Sequence, residues 1–175
     1  MLISITYTAS QNGVLRHKNT VPWENTEELR CDDFIKASRT RLLVLGRFSF
    51  EALKINLDCD FLVLSTTQTG IGVGGVRYVA TLAQAIEIGR AGGYKEMIIS
   101  GGRPLIAEAM LIADIIYKST ILVEPQGTVY APAIPVHFHL VWGKNIKGNP
   151  SHSYQTYTLA EHRKLKFDLV GLLLP

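Results

Sequence analysis

The feature that most constrains this chain is a junction that recurs along it. Short apolar runs end in small or hydroxyl-bearing turns, and a helix-prone segment follows two of them. Residues 41–46 (RLLVLG) lead into Arg47-Phe48-Ser49, residues 60–65 (DFLVLS) into Thr66-Thr67, and residues 95–99 into Ser100-Gly101-Gly102-Arg103. Runs this short and rich in Leu, Ile and Val read as strands buried on both faces. Strands that alternate with helices argue an α/β chain with a mostly parallel sheet. Such a sheet brings the carboxyl ends of its strands to one edge, where open α/β sheets bind ligands. The junctions therefore predict a fold class and the edge that carries the chemistry.

The rest of the chain fits that frame. Residues 2–9 (LISITYTA) predict a strand in the middle of the sheet, and 76–79 a short one. Helices are expected over 26–38, near 49–54, from Thr81 to about 90 and from Pro104 to about 112. Asn25 or Thr26 caps the first, Gly92-Gly93 closes the third, and Pro104 suits a first helical turn. Residues 114–124, 134–143 and 152–160 read as extended, the last two forming a hairpin across KGNPS. The organisation is one domain over 1–160 and a C-terminal extension over 161–175, whose LVGLLLP is far too short to span a bilayer.

Composition narrows the function classes. A chain of 175 residues, 47% hydrophobic and 19% charged, supports one sizeable core. The net charge of +3 gives no bulk argument for nucleic acid, although single Arg residues suit an anionic ligand. Cys31 and Cys59 form no C-x-x-C pair and have no His cluster beside them, so neither a disulfide framework nor a metal site is expected. The first residues show no signal-peptide pattern and no membrane span is expected, which leaves the cytoplasm as the default compartment.

The three junctions carry the chemistry of phosphate binding. Small residues let backbone N–H groups approach an anion, and helix starts add partial positive charge. Arg47 and Arg103 add full charges with forked donors. A Gly-Gly pair after a strand also serves as a plain turn, and strand-end Ser and Thr as plain caps. A G-x-G-x-x-G fingerprint after the first strand is absent. A second constellation is Pro22-Trp23-Glu24-Asn25-Thr26-Glu27-Glu28-Leu29. Asn25 to Glu28 has capping-box spacing, so Glu28 either closes a helix start or is a functional carboxylate.

In order along the chain, these segments resemble dihydrofolate reductase. Val21-Pro22-Trp23 is similar to the family's loop ahead of its first helix, and Leu45-Gly46-Arg47-Phe48-Ser49-Phe50-Glu51 to its M-G-R-x-T-[FW]-E motif. Leu64-Ser65-Thr66 is similar to L-S-[ST], Ile99-Ser100-Gly101-Gly102-Arg103 to I-G-G-[GA], and Tyr117-Lys118-Ser119-Thr120-Ile121 to Y-x-T-x-I. The resemblance covers about residues 2–160. It implies a single-domain α/β fold with a mostly parallel, eight-stranded sheet, an antiparallel C-terminal hairpin and about four flanking helices.

The implied activity is NADPH-dependent reduction of 7,8-dihydrofolate in one-carbon metabolism, and with it an antifolate target. Glu28 matches the family's buried acid, with Trp23 and Ser119 beside it as catalytic residues. Burial would raise the pKa of that acid. The substrate side comprises Thr6 and Ile99 through their backbones, Leu29, Asp32 and Tyr117. For the cofactor, Arg47, Ser65 and Thr66 would grip the 2′-phosphate. Ser49, Gly101, Gly102 and Arg103 would hold the pyrophosphate. Gly46, Phe48, Leu64 and Ser100 flank them, and Thr8, Leu15, Val21 and Leu105 frame the nicotinamide. The resemblance also implies a cis peptide at Ser100-Gly101, which outside proline costs about 3 kcal/mol. The implied partner is a small molecule, with no nucleic acid and no membrane, for a monomer or homodimer.

Departures from the family pattern weaken the expected glutamate-tail site more than the pterin or cofactor site. Leu57-Asp58-Cys59-Asp60 lacks the family's Arg that clamps the glutamate tail of folate. Loss of such a charge-assisted pair costs about 1.5–3 kcal/mol. Asp32 stands where a Phe is usual, and a two-residue insertion near 37–41 keeps Glu28 in register ahead of Phe34. Arg16 replaces a Gly, and Leu105 a Tyr or Phe. The alternatives are a reductase of another pterin or a diaminopyrimidinone, and a non-catalytic nucleotide-binding homologue.

Overall fold

The computed structural model describes residues 1–18, 20–23, 40–52 and 59–159. The helix expected over 26–38, with Glu28, Leu29 and Asp32, lies outside the described residues, as do Cys31 and the extension 161–175.

Strand β1 (Leu2–Ser10) alternates apolar and hydroxyl residues, and nearly all of them are buried. Ile3, Ile5, Tyr7 and Ala9 point to one face, and Ser4, Thr6, Thr8 and Ser10 to the other. It pairs in parallel with β7 (Glu96–Ser100) and β8 (Ile115–Ile121), so it sits inside the sheet. β2 (Val14–Arg16) follows β1. β3 (Arg41–Gly46) pairs with β7 and with β4 (Phe61–Leu64), again in parallel. The two-residue β5 (Gly70–Ile71) and β6 (Arg77–Val79) close that side. On the other side β11 (His152–Leu159) pairs antiparallel with β8 and with β10 (Phe138–Ile146).

The sheet among the described residues thus has nine strands, in the order β10-β11-β8-β1-β7-β3-β4-β6-β5. The strand beyond the expected eight is one of the short pieces, and β5 has no Val- or Leu-rich run to announce it. β2 also pairs with β9 (Val129–Tyr130) in a separate ribbon. That ribbon falls in stretches whose sequence reads as loop.

Helix α1 (Arg47–Ala52) follows β3 directly. α2 (Leu82–Ala91) starts where the Thr81 side chain accepts from the Gln84 N–H, and its buried stripe is Leu82, Ala85 and Gly89. α3 (Arg103–Ala109) carries Pro104 in its first turn and buries Leu105, Ile106 and Ala109. α2 and α3 cover the Ile3-Ile5-Tyr7 face, where the largest core cluster lies. Leu43, Leu45 and Ile98 form a second cluster on the opposite face, with Phe50 and Phe61 against it. No helix among the described residues is long and apolar enough to cross a membrane.

Candidate active site

β7, β3 and β4 are neighbours, so their three carboxyl-end turns lie side by side on one edge. Two turns meet backbone to backbone. A Cβ placed on Gly101 would lie 3.3 Å from the Gly46 nitrogen and 2.9 Å from Leu105 Cδ2. One placed on Gly46 would lie 3.7 Å from the Gly101 Cα. At Gly102 a Cβ would meet only Pro104 Cδ, at 3.8 Å, so open space faces that residue. The contact is tight at Gly101, where a side chain would press on Leu105 and the Gly46 backbone, whereas a Cβ at Gly46 would make only ordinary contacts. A cradle of this kind, bare of side chains and beside two Arg residues, fits a dinucleotide's phosphates.

The charged and hydroxyl residues divide their roles. The Arg47 guanidinium lies 4.3 Å above the Phe48 ring centroid and pairs with Glu51 at 2.9 Å. Phe48 is 67% exposed, so that stack faces solvent. Arg103 is exposed at the start of α3, and Ser49 is half-buried in α1. Ser65 also holds its own turn together. Its side chain is buried, and its Oγ accepts from the N–H groups of Thr67 at 3.3 Å and Gln68 at 3.1 Å. Thr66, exposed beside Leu64, presents the free hydroxyl of that turn. The Ser100-Gly101 bond is trans, and the cis bond among the described residues is Asn149-Pro150. Ser100 continues the strand ladder opposite Thr6 and Leu45, and a trans bond suits that extended path.

The residues expected on the substrate side include Thr6, Thr8 and Ser119, which share the face opposite α2 and α3. Thr6 stands opposite Ser100 on one side and Tyr117 on the other, and Thr8 opposite Ser119. Thr6 and Ser119 are buried. Ile99 stands opposite Ile5, so its side chain enters the main core and only its backbone serves this edge. Trp23 is buried against Ile121 and Val123. Leu15 and Leu105 are buried, while Val21 is 51% exposed.

Tyr117 leans towards the other end of the sheet. Its hydroxyl donates to Glu96 Oε1 at 3.1 Å, towards the amino ends of the strands and away from their carboxyl-end edge. Burial first, then the charge of Glu96, pushes its phenol far above the ordinary range. Glu96 also pairs with Arg41 Nε at 2.8 Å and accepts from Ser4 Oγ at 2.5 Å. The sequence reading missed this network. Arg41 and Glu96 each open an apolar run, where a charge ordinarily marks a solvated strand end. Lys118, on the opposite face, has its pKa lowered by desolvation.

Comparisons with known proteins identify the family and the fold. A family model described as dihydrofolate reductase matches residues 2–163. The chain is 26% identical over 157 residues to the type 5 dihydrofolate reductase of Escherichia coli, covering 90% of this chain and 98% of that one. It is 29% identical over 143 residues to the dihydrofolate reductase of Buchnera aphidicola subsp. Baizongia pistaciae, covering 81% and 82%. Its fold is similar to that of dihydrofolate reductase from Enterococcus faecalis complexed with NADP(H) and RAB-propyl. The TM-score is 0.73 at 20% identity, over 91% of this chain and 96% of that one. Fold and family together define an NADPH-dependent oxidoreductase. The chain belongs to the dihydrofolate reductase family.

Proposed function

We propose that Glu28 is the carboxylate with which this enzyme binds the pterin of 7,8-dihydrofolate and promotes protonation of its ring during reduction to tetrahydrofolate. The observation that carries the reading is the edge itself. The Gly46–Gly101 contact stands one strand away from the buried Thr6 hydroxyl, and Ser119 one strand further. A dinucleotide and a flat polar ring therefore find adjoining places. Glu28 enters through its motif, five residues after Trp23.

NADPH supplies the hydride when bound. The chain's own residues do the rest. The backbone edges of Thr6 and Ile99 orient the pterin, and Ser119 Oγ holds the Glu28 carboxylate or a water beside it. Glu28 accepts from the pterin amino group and favours the proton on the ring nitrogen next to the carbon being reduced. Arg47 and Thr66 take the 2′-phosphate, while Ser49, Gly101, Gly102 and Arg103 surround the pyrophosphate. Trp23, Leu15 and Leu105 exclude water. The same reading puts the enzyme in the cytoplasm as a monomer or homodimer over 1–160, without nucleic acid.

A second reading is favoured by one observation. Asp60, which stands near the place of the missing tail-binding Arg, accepts from the Tyr94 hydroxyl at 2.9 Å. An acid there repels a substrate carboxylate, which favours a pterin without a glutamate tail. The test follows NADPH oxidation at about 340 nm with dihydrofolate, beside a Glu28→Gln variant. Turnover that falls about 10²–10⁴-fold in the variant is expected. Wild-type protein that binds NADPH, ignores dihydrofolate and turns over a tail-less pterin would replace the first reading with the second.

A further inference from the structure

Four adjacent strands each contribute one residue to a single buried polar cluster. They are Tyr117 from β8, Ser4 from β1, Glu96 from β7 and Arg41 from β3. All four are less than 10% exposed. The register puts them on the face that carries Thr6 and Ser119.

The register also fixes the direction in which Tyr117 leans. Tyr117 stands opposite Thr6, whereas Glu96 stands opposite Leu2, four residues earlier on β1. Four residues of strand are about 13 Å. A hydroxyl that reaches Glu96 must tilt back along the strands, away from their carboxyl ends. Ser119, two residues further on the same face, lies just beyond the ring. In strands the two common χ1 rotamers tilt a side chain differently. The other rotamer would carry the ring towards Ser119.

We propose that this cluster is a positioning device for the substrate. By tethering Tyr117 to Glu96 it sets the depth of the pterin site and keeps Ser119 open to it. The proposal rests on the reading that Thr6 and Ser119 face the pterin. Tyr117 and Glu96 are positioning residues, acting through the shape of the site.

The test is Tyr117→Phe, which keeps the ring and removes only the tether. Steady-state kinetics with dihydrofolate and NADPH are measured beside thermal unfolding. Thr81→Ala, at the cap of α2, is the control for lost stability alone. The KM for dihydrofolate should rise about tenfold, the equivalent of about 1.4 kcal/mol, with the KM for NADPH within about twofold. Thr81→Ala should leave both constants at wild-type values. A Tyr117→Phe variant that only unfolds earlier, or in which both KM values rise together, overturns the inference and leaves the functional reading standing. A wild type with no dihydrofolate turnover removes the reading and the inference together.

Discussion

A single methyl group probes the place where two phosphate turns meet. Gly101→Ala would put a Cβ 2.9 Å from Leu105 Cδ2 and 3.3 Å from the Gly46 nitrogen. The Leu105 branch can rotate, but the Gly46 backbone belongs to β3 and cannot move alone. Overpacking of this kind costs about 1–3 kcal/mol. Chemical denaturation should show that loss, and the KM for NADPH should rise with it, because the turns are pushed apart. A variant with the wild-type midpoint would mean that the turns yield independently. At this scale the sequence was informative about backbone and less so about side chains. Gly46 and Gly101 stood out as small residues at strand ends, a pattern that a plain turn shares, and the structure brings their backbones together. The hydrogen-bond partners of Ser65 and Tyr117 were not legible. A motif places a residue on a strand end, but its partners decide whether the side chain faces the ligand. Ser65 turns inward to two N–H groups, and Tyr117 leans back to Glu96.

At the scale of elements, apolar runs and caps were the reliable signals. β3, β4, β7 and α2 fall within a residue or two of where their runs, Thr81 and Gly92 put them. β1 was expected as a buried central strand, but the strict alternation within it carried more. Its apolar face lies in the core, and its hydroxyl face is the one proposed to meet the substrate. The β2–β9 ribbon could not be read, because its pairing is short and distant in sequence. One glycine shows how tightly it is held. A Cβ on Gly127, just before β9, would lie 2.4 Å from Val14 Cγ1 and 2.5 Å from Cγ2. Val14 is fully buried in β2, and its branched side chain has little rotamer freedom. Gly127→Ala should therefore separate loop from ribbon and cost about 1–3 kcal/mol. Hydrogen exchange would locate the change. Faster exchange at the Thr128 N–H, which donates to the Arg16 carbonyl at 3.0 Å, is expected. Unchanged exchange there would show that Val14 moves instead.

Across the whole molecule, stability is tied to pH and to cofactor. Burial, then Tyr157, raises the Tyr7 phenol, and burial, then Glu96, raises Tyr117. A group whose folded pKa lies above its unfolded value contributes stability below the unfolded value, here about 10, and loses it as pH climbs past that. Lys118 works the other way: its lowered pKa recovers stability as pH rises towards about 10.4. The two buried phenols should outweigh one half-buried amine, so alkaline unfolding should coincide with their ionisation, followed by phenolate absorbance. Ionisation of Tyr7 and Tyr117 in a still-folded protein would contradict their burial. Cofactor acts on the same global equilibrium. A ligand at 100 times its dissociation constant stabilises by about 2.7 kcal/mol. For a chain of this size that is roughly 5–10 °C in the unfolding midpoint. NADPH differs from NADH by the 2′-phosphate, for which Arg47 and Thr66 are the proposed partners. Arg47 is now paired with Glu51, but an exposed i,i+4 pair is worth only about 0.3–0.5 kcal/mol. A phosphate displaces that carboxylate readily, since hydrogen bonds to charged groups contribute about 1.5–3 kcal/mol. At equal concentration NADH should thus give less than half the NADPH shift, and Arg47→Ala should bring the two shifts together. Equal shifts in the wild type would remove Arg47 from the 2′-phosphate site and leave Arg103, across the Gly46–Gly101 contact, as the cation nearest the cradle.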